Sequence, residues 1–392
     1  MNVTLKSLCK RFSSGDRLDS SQVKEVGKYP VFGGNGIRGY ADIYNFNGRC
    51  AIIGRQGANC GNVRYYNGKA FMTEHAIVVE TNEYNDIGYL AYRMSLMDLG
   101  RYQGQSAQPG LSVKTISGLP IEVPELNVQR KIWKVLNNLD QKVDNNTQIN
   151  NNLEELMKTI YQRWFIEFEF PNEEGKPYKS SGGKLVYNEE LKQEIPENWK
   201  ICCIEDITTL ISGYAFSSND YCKNGAYKLY TIKNVQDGNI ISTVDNKIDN
   251  LPVNLPCECL LKPKDLIMSL TGNVGRVGLV YEENALLNQR VLKLIPKNNL
   301  CYIYLLCRGY FIKNKCESIS TGTSQKNLSP IEFGKIKIAY SEEVINKFEN
   351  KILDFLELIM NNLKENQRLN SLKEYLLPLL MNGQINVDDI EI

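Results

Sequence analysis

Two long segments of the chain place apolar side chains three and four residues apart, the spacing of one face of a helix. The first runs from Ile132 to Ile160 and the second from Ile345 to Leu376. Each stripe is sustained over roughly four heptads, which is typical of a coiled coil. Neither segment is apolar on all faces, so each helix is predicted to pack mainly against one partner, most simply the other segment. The positions predicted to pair the helices are Ile132, Leu136, Leu139, Val143, Asn146, Ile352, Leu356, Ile359, Leu363 and Asn366. The first stripe continues through Ile149, Leu153 and Leu156.

Two asparagines, Asn146 and Asn366, interrupt the stripes at corresponding places. A polar side chain buried in such a seam fixes the register of two helices at some loss of stability. Alternatively, each asparagine lies at the edge of the seam and faces water. The sequence leaves both interpretations open.

The segments that precede the two helices contain short β-type runs and glycine-rich turns, which predict mainly β domains. The predicted divisions are a first domain at 1–125, the first helix at 126–170, a linker rich in Pro, Gly and Ser at 171–195, a second domain at 196–340, and the second helix with a C-terminal tail at 341–392. A helix is also predicted within the first domain, from Tyr89 to Met97. The predicted fold class is α+β: two mainly β or α+β domains separated and joined by two long antiparallel coiled-coil helices, with a pseudo-twofold internal repeat.

The two halves repeat one another in sequence. Residues 52–63 return as 267–277, residues 74–77 fall opposite 288–291, and residues 104–112 return as 321–329. In this alignment His75 stands opposite Gln289, a pair better suited to hydrogen bonding than to proton transfer. The offset drifts from about 214 to about 220, so one half-molecule has been duplicated. Two diverged readers on a common helical frame would suit a target with two separate parts.

Composition bounds the class of protein. Apolar residues are 42% and charged residues 23% of the 392 positions, which is ordinary for a globular protein. No apolar stretch approaches membrane-spanning length, and residues 1–6 lack the apolar core of a signal peptide. The 11 cysteines show no Cys-x-x-Cys spacing, so a reducing cytoplasm is expected. Because His75 is the only histidine, a metal site made of histidines is excluded.

The net charge of +1 hides an uneven distribution. Residues 1–125 carry 14 basic and 11 acidic side chains, and residues 201–340 carry 16 and 12. Residues 341–392 carry 5 basic and 10 acidic side chains. The predicted β domains are therefore basic and the second helix acidic, which favours domains that face phosphate.

Glycine-rich loops carry the candidate chemistry. Arg pairs with guanine and Asn or Gln with adenine through paired hydrogen bonds, whereas Ser, Thr, Lys and backbone N–H groups suit phosphate. For any single residue, the alternative is a polar turn that holds a β domain together. The candidate DNA-binding residues are Asn35, Arg38, Arg55, Asn59, Asn62, Arg64, His75, Gln105, Ser106 and Gln108 in the first copy, and Thr271, Asn273, Arg276, Gln289, Arg290, Thr323, Ser324, Gln325, Lys326 and Asn327 in the second.

Catalytic motifs are incomplete throughout. Residues 32–36 match the Phe-x-Gly-x-Gly loop of adenine methyltransferases, but the Asn/Asp-Pro-Pro-aromatic tetrapeptide of those enzymes occurs nowhere in the sequence. A phosphate-binding Gly-x-x-x-x-Gly-Lys-Ser/Thr loop is also missing. We therefore expect this chain to bind no cofactor or metal and to have no catalytic residues.

Several segments together resemble one family. They are the Gly-rich residues 29–36, the Leu-Ser segments 108–112 and 325–329, residues 119–124 followed by Gln129 and Ile132, and residues 195–199. In their order and duplication they are similar to the specificity (S) subunit of type I restriction–modification systems. Residues 340–343 lack the proline of the first helix lead-in, and the first domain lacks the Pro-x-x-Trp of the second.

The resemblance implies a non-catalytic cytoplasmic subunit, bacterial or archaeal, that reads a bipartite DNA target with one recognition domain per half-site. It implies antiparallel helices that act as a ruler, and two modification subunits that bind S-adenosylmethionine and methylate adenine. Up to two restriction subunits, with Mg and ATP, would join for cleavage. A stand-alone DNA methyltransferase or nuclease, and a coiled-coil scaffold without a DNA ligand, are the alternative functions.

Overall fold

A computed structural model describes residues 3–57, 59–104, 110–322 and 325–390, except for the side chain of Asn239. The chain divides into two compact units. The first unit comprises Met1–Val143 and Arg368–Ile392, and the second comprises Asp144–Gln367. Each long helix therefore contributes one part of its length to each unit.

The first unit is built on a six-stranded sheet with the strand order β2-β7-β5-β6-β3-β4. β3 and β6 are parallel and the other neighbours are antiparallel. A separate antiparallel pair joins β1 to β8. The strands are β1 (Val3–Thr4), β2 (Cys9–Ser14), β3 (Tyr29–Gly33), β4 (Gly36–Ala41), β5 (Phe46–Gly54), β6 (Val63–Met72), β7 (Ala76–Thr81) and β8 (Pro120–Ile121).

The first unit's sheet is buried on both faces, which explains the uninterrupted apolar run in β5. Ile53 packs with the helix α1 (Ile87–Ser95) on one face, and Ile52 packs with Phe32 on the other. Helix α1 begins and ends two residues before the predicted bounds of Tyr89 and Met97. Asp86 caps its start, because Asp86 Oδ1 accepts the Tyr89 N–H at 3.0 Å. The short helix α2 (Val113–Ser117) follows before β8.

The second unit repeats this plan in more pieces. Its larger sheets have the orders β12-β22-β19-β20 and β13-β17-β14-β21-β18, and three two-stranded pairs join β9 to β10, β11 to β23 and β15 to β16. The strands are β9 (Leu185–Asn188), β10 (Gln193–Pro196), β11 (Lys200–Cys203), β12 (Thr208–Ser212), β13 (Tyr221–Cys222), β14 (Tyr227–Tyr230), β15 (Val235–Gln236), β16 (Asn239–Ile240), β17 (Lys247–Ile248), β18 (Leu260–Leu261), β19 (Leu266–Ser269), β20 (Val277–Leu279), β21 (Ala285–Leu287), β22 (Val291–Pro296) and β23 (Lys337–Tyr340).

Two helices are far longer than the others. The remaining helices in chain order are α3 (Leu126–Tyr161), α4 (Ile204–Ile207), α5 (Leu300–Arg308), α6 (Tyr310–Ile319), α7 (Pro330–Gly334) and α8 (Glu342–Met381). A π-helical turn, Gln162–Ile166, ends α3 and delivers Trp164 and Phe165 to the core of the second unit. There the Phe165 ring lies 5.1 Å from that of Phe348, centroid to centroid. Among the described helices, none is long and apolar enough to cross a membrane.

The predicted duplication is confirmed at the level of single backbone hydrogen bonds. The Gly61 N–H donates to the Gly54 carbonyl at 2.8 Å, and the Gly275 N–H donates to that of Ser269 at 2.9 Å. The Leu111 N–H donates to the Arg55 carbonyl at 2.9 Å, and the Leu328 N–H donates to the Leu270 carbonyl at 2.8 Å. Both copies therefore share one hydrogen-bonded loop framework.

The alignment of His75 with Gln289 is wrong by one residue. Gly54 pairs with Ala76 in the first unit and Ser269 pairs with Val291 in the second, so strand register places His75 opposite Arg290. The bonds agree, because the Arg55 N–H donates to the His75 carbonyl and the Leu270 N–H to the Arg290 carbonyl, each at 3.0 Å. The counterpart of His75 is therefore a permanent cation.

The segment predicted as a linker, residues 171–195, is structured and belongs to the second unit. β9 and β10 form an antiparallel hairpin within it. The Tyr178 ring stacks on that of Phe170 with centroids 4.6 Å apart, and Ile195 is buried. Its Pro, Gly and Ser residues supply turns between apolar anchors, which a composition-based boundary does not reveal.

The predicted helix-pairing positions lie in or beside the buried cores of the two units. In the first unit, Ile132 and Leu136 of α3 pack with Leu380 and Met381 of α8. The Lys373 ammonium also donates to Asp140 Oδ1 at 2.5 Å. In the second unit, the seam positions of α8 extend the buried core, with Ile352, Leu356 and Ile359 inside it and Leu363 packed against it. Leu139 and Val143 are half-buried.

Asn146 and Asn366 resolve the alternative that the sequence left open. Asn146 is 1% exposed, and its Nδ2 donates to Asn366 Oδ1 at 2.9 Å. One turn further, Asn362 Nδ2 donates to Asn150 Oδ1 at 2.8 Å, and both of those residues are 7% exposed. The seam of the second unit thus contains two consecutive hydrogen-bonded asparagine layers between antiparallel helices.

Beyond Asn146, the first stripe was predicted wrongly at Ile149 and Leu156, whereas Leu153 and Ile160 pack against the core of the second unit. Ile149 and Leu156 are 43% and 44% exposed, whereas Asn150 and Met157 are buried. A straight helix drifts by roughly 20° per heptad against a strict seven-residue repeat. In the second unit the buried face of α3 therefore includes Asn150 and Met157 in addition to Leu153 and Ile160.

Candidate nucleic-acid interface

In the first unit, the glycine-rich turn at 33–36 and the loop at 55–62 lie against each other. A Cβ on Gly54 would lie 2.3 Å from the Gly34 carbonyl oxygen, and one on Gly34 would lie 2.6 Å from that of Gln56. The two loops can approach this closely only because glycine has no side chain. Asn59 Nδ2 also donates to Asn35 Oδ1.

Arg55 holds the first unit's loops together. Its Nε donates to the Leu111 carbonyl at 3.2 Å, and its Nη1 lies 3.2 Å from Ser14 Oγ and 3.4 Å from the Glu74 carbonyl. Its side chain is half-buried. These contacts give Arg55 a structural role at the base of the loops. Its predicted contact with DNA stays a prediction.

Arg38 and Arg64 lie at the surface beside the glycine turn. A Cβ on Gly36 would lie 3.0 Å from Arg64 Cζ, and one on Gly33 would lie 2.7 Å from Arg38 Cδ. Both arginines are exposed, and within the described part of the chain neither forms a hydrogen bond or an ion pair through its guanidinium. These two cations are available to an anionic or hydrogen-bonding ligand. Asn62 is exposed on the same loop as Asn59.

His75 has a partner that the sequence did not indicate. Its Nε2 lies 3.5 Å from Glu74 Oε1, and both side chains are more than one-third exposed. The pair is ionic only when the imidazole is protonated. In the second copy Gln289 and Arg290 occupy the equivalent surface positions, and both are exposed.

In the second unit, the loop at 272–276, the segment at 325–327 and helix α6 surround an open recess of about 700 Å³. Arg276 Nη1 donates to Gln236 Oε1 at 2.8 Å, which directs the guanidinium along one wall. Lys326 lies 3.4 Å from Glu317. The recess is lined by Asp237, Gly272, Asn273, Val274, Gly275, Arg276, Lys313, Glu317, Gln325 and Lys326.

Thr271 is placed differently from the prediction of a ligand contact. It is 4% exposed, and its hydroxyl donates to Asn327 Oδ1 at 3.1 Å. Because Thr271 continues β19 into a bridge with Asn327, it holds the loop and presents no polar group to solvent. Asn273, Gln325 and Asn327 are exposed. The predicted contacts Gln105, Ser106, Gln108, Thr323 and Ser324 lie outside the described residues.

The sequence analysis assigned no structural role to three further residues, Gln236, Gln129 and Glu349. Gln236 holds Arg276, although its only local signal is the Gln-Asp-Gly turn at 236–238. Gln129 and Glu349 occupy equivalent positions on the long helices, and each receives the first N–H groups of a domain helix. Gln129 Oε1 accepts the Asp86 N–H at 2.8 Å, and Glu349 accepts the Cys301 and Tyr302 N–H groups at 2.9 and 3.1 Å. In each unit, a helix of the β domain is thus joined at its N-terminus to a long helix by a side chain.

Together these features define a protein of two units that share a loop framework and differ in the polar and cationic side chains that they present. The sequence model described as "Type I restriction modification DNA specificity domain" matches residues 1–155 and 196–374. The chain therefore belongs to the type I restriction–modification specificity-subunit family. Specificity subunits of these systems are non-catalytic and bind DNA.

Relatives agree with this assignment. The EcoprrI specificity subunit of Escherichia coli is 40% identical over 121 residues, which span 31% of this chain and 30% of that subunit. The MjaIX specificity subunit of Methanocaldococcus jannaschii is 28% identical over 314 residues, 77% of this chain and 70% of that subunit. The crystal structure of an S subunit from M. genitalium matches with a TM-score of 0.64 at 17% identity, covering 97% of this chain and 95% of that one. This likeness confirms the predicted fold.

Proposed function

We propose that this chain reads a bipartite DNA sequence for a type I restriction–modification complex, one half-site for each unit. The observation that carries the proposal is the pair of matched loop frameworks. Equivalent backbone bonds, such as those of Gly61 and Gly275, support different side chains. His75 stands where the other copy has Arg290, and Asn62 stands where it has Arg276. One scaffold with two surfaces is suited to two different half-sites.

The exposed arginines suit base or phosphate recognition. Arg38 and Arg64 have no competing partner among the described residues, so their donors are available to a guanine edge or to phosphate. In the second unit, Gln236 leaves the remaining donors of Arg276 aimed along the recess. Exposed Asn273 and Gln325 add amide groups that suit adenine.

The partners follow from the family. In this proposal the chain works in the cytoplasm of a bacterium or archaeon and assembles with two modification subunits and up to two restriction subunits. S-adenosylmethionine, Mg and ATP are bound by those partners. The chain itself binds DNA and its partner subunits, and no cofactor. The paired helices set the spacer between half-sites, and the asparagine layers at Asn146 and Asn150 support this role because they resist sliding of α3 along α8.

Mapping methylated adenines genome-wide, with and without this gene, tests the proposal and defines the target. Arg64→Ala is expected to relax or weaken one half-site and Arg276→Ala the other, by roughly 1–3 kcal/mol for a base contact. Asn152→Ala, an exposed change on α3, is the control. If both arginine variants alter the same half-site, the assignment of one unit to each half is wrong.

The spacer has its own test. Four residues inserted between Asn146 and Leu153 lengthen α3 by roughly 6 Å, which is somewhat under two base pairs of duplex. The mapped spacer is expected to grow by one or two base pairs while both half-site sequences stay the same. An unchanged spacer in an active complex contradicts the ruler.

Methyl transfer or nuclease activity by the purified chain would favour the alternative of a stand-alone enzyme. The assay is incubation of DNA and a labelled methyl donor with rigorously purified chain, with the assembled complex as the positive control.

A further inference from the structure

A buried chain of contacts in the second unit runs from the long helix α3 to the recess. Glu154 of α3 accepts a hydrogen bond from Arg308 Nη1 at 2.5 Å and another from the Tyr304 hydroxyl at 2.6 Å. Arg308 Nε lies 3.5 Å from Asp237 Oδ1. Asp237 follows Gln236 in sequence, and Gln236 Oε1 accepts from Arg276. Three non-covalent contacts and the peptide bond between Gln236 and Asp237 thus connect α3 with a candidate base-reading arginine.

Burial makes the first part of this connection, between Glu154 and Arg308, stiff. The Arg308 and Glu154 side chains are 8% and 16% exposed, so their attraction is weakly screened by water. Burial raises the pKa of the Tyr304 hydroxyl well above its usual value, so that group remains a donor to Glu154. Gly238 has a φ of +88°, and a Cβ there would lie 2.1 Å from Arg308 Nη2. The turn at 236–238 is therefore shaped around the guanidinium.

The first unit has the same tyrosine and arginine without this connection. Residues 89–93 read Tyr-Leu-Ala-Tyr-Arg, and residues 304–308 read Tyr-Leu-Leu-Cys-Arg. The Tyr89 hydroxyl is buried and forms no hydrogen bond within the described residues, whereas the Tyr304 hydroxyl donates to Glu154. At the helix offset that relates Asn146 to Asn366, the counterpart of Glu154 is Glu374, which is exposed. The contact chain to the recess is thus a property of the second unit.

We propose that Glu154 and Arg308 are positioning residues that set the orientation of Arg276 and so determine the base preference of the second half-site. The inference rests on the proposed DNA-reading function and deepens it, because neither residue reaches the recess surface itself. Arg308 acts on Asp237, Asp237 fixes the turn, and Gln236 on that turn directs the Arg276 guanidinium. Removing Glu154 or Arg308 therefore loosens the Arg276 side chain and leaves the charge of Arg276 in place.

The two variants that test the proposal break the chain at different places. Glu154→Gln keeps the side-chain shape and removes the charge that holds Arg308. Gln236→Leu removes the acceptor of Arg276, together with the bond from Gln236 Nε2 to the Lys233 carbonyl at 3.0 Å, and lies outside the core. The matched control is Glu357→Gln, which breaks an ion pair of 2.7 Å between α8 and Lys264 in the same unit, away from the recess.

Each variant is assembled with its modification subunits after the target has been mapped by adenine methylation. Binding is then measured on duplexes in which every half-site position is substituted in turn, beside thermal unfolding of each complex. Glu154→Gln and Gln236→Leu are each expected to lower discrimination by roughly 2- to 30-fold at the base position that Arg276→Ala affects. Adding either change to Arg276→Ala should reduce discrimination no further, and Glu357→Gln should leave the profile unchanged.

Three results overturn the inference. Uniform weakening on all duplexes by both variants would show a structural role only, and losses that add to that of Arg276→Ala would show independent action. If Arg276→Ala leaves the base preference at every half-site position unchanged, Arg276 does not read a base and there is nothing to position. If the wild-type complex itself shows no sequence preference, the DNA-reading function fails along with the inference. In the first three cases the wild-type preference persists, which separates the two failures.

Discussion

The asparagine layer at Asn150 and Asn362 gives a prediction whose size follows from the contacts. Both side chains are 7% exposed, and one hydrogen bond of 2.8 Å joins them. Asn150→Leu leaves the Asn362 amide buried without its acceptor, which costs about 1–3 kcal/mol. Asn362→Leu strands the Asn150 carbonyl at a similar cost. Replacing both removes the two polar groups together, and this exchange is expected to be near neutral or stabilising.

Urea denaturation of the full chain, followed by tryptophan fluorescence, measures these energies. Trp164 and Trp199 lie in the core of the second unit, and Trp133→Phe removes the one tryptophan of the first. The asparagine variants are therefore made in that background, and equal denaturant slopes confirm that midpoint shifts report stability. Asn152→Leu, an exposed neighbour on α3, should change the unfolding free energy by less than about 0.5 kcal/mol.

Strong coupling is the expected signature of this layer. The double variant should be more stable than the sum of the single losses by at least about 1 kcal/mol. Asn146 and Asn366 still fix the register throughout this cycle. If the two single losses simply add, the amides do not depend on each other, and the argument that this layer is a matched polar pair is refuted.

Three further outcomes are expected. Gly34→Ala places a Cβ 2.6 Å from the Gln56 carbonyl oxygen and should destabilise the first unit by about 1–3 kcal/mol, which lowers its Tm. An unchanged Tm would mean that the turn at 33–36 and the loop at 55–62 can separate freely. Cys257 is exposed, so maleimide should label it in the native chain. Burial raises the pKa of the Cys50 thiol to about 12, so labelling of Cys50 should require denaturant. Peptide mass spectrometry identifies the labelled cysteines. If Arg64 contacts phosphate, Arg64→Ala should weaken binding to all duplexes alike and reduce the salt slope by about one, whereas loss at a single base position would make it a base reader.

The sequence predicts those features that show as a regular spacing of apolar residues or as a repeated motif. Ile132 and Leu136 of the first stripe are buried beside Leu380 and Met381 because one face of α3 meets α8 there. The repeated glycines hold because Gly57 and Gly272 both need positive φ at the same point of the loop. Such requirements are local to the chain, so residue type alone reveals them.

Features fixed by non-local contacts could not be predicted. The equivalence of His75 with Arg290 depends on which residues β5 and β19 pair with, and sequence similarity over four residues does not specify register. Ile149 has the spacing of a seam residue, but the face of α3 buried in the second unit is set by the elements packed there. Arg55 has the composition of a base reader, and only its contacts reveal that it braces loops.

The division between backbone and side chain explains how the two copies could diverge while keeping one fold. The bonds that shape the recognition loops, from Gly61 to Gly54 and from Leu111 to Arg55, join backbone N–H and carbonyl groups. Their equivalents persist at Gly275 and Leu328, although the neighbouring side chains differ in charge and size. Backbone bonds place few demands on the outward-facing residue, so substitutions there alter the presented surface at little loss of stability. Side chains that brace a loop, such as Arg55 and Thr271, are the exception, because changing them alters the frame on which the reading residues stand.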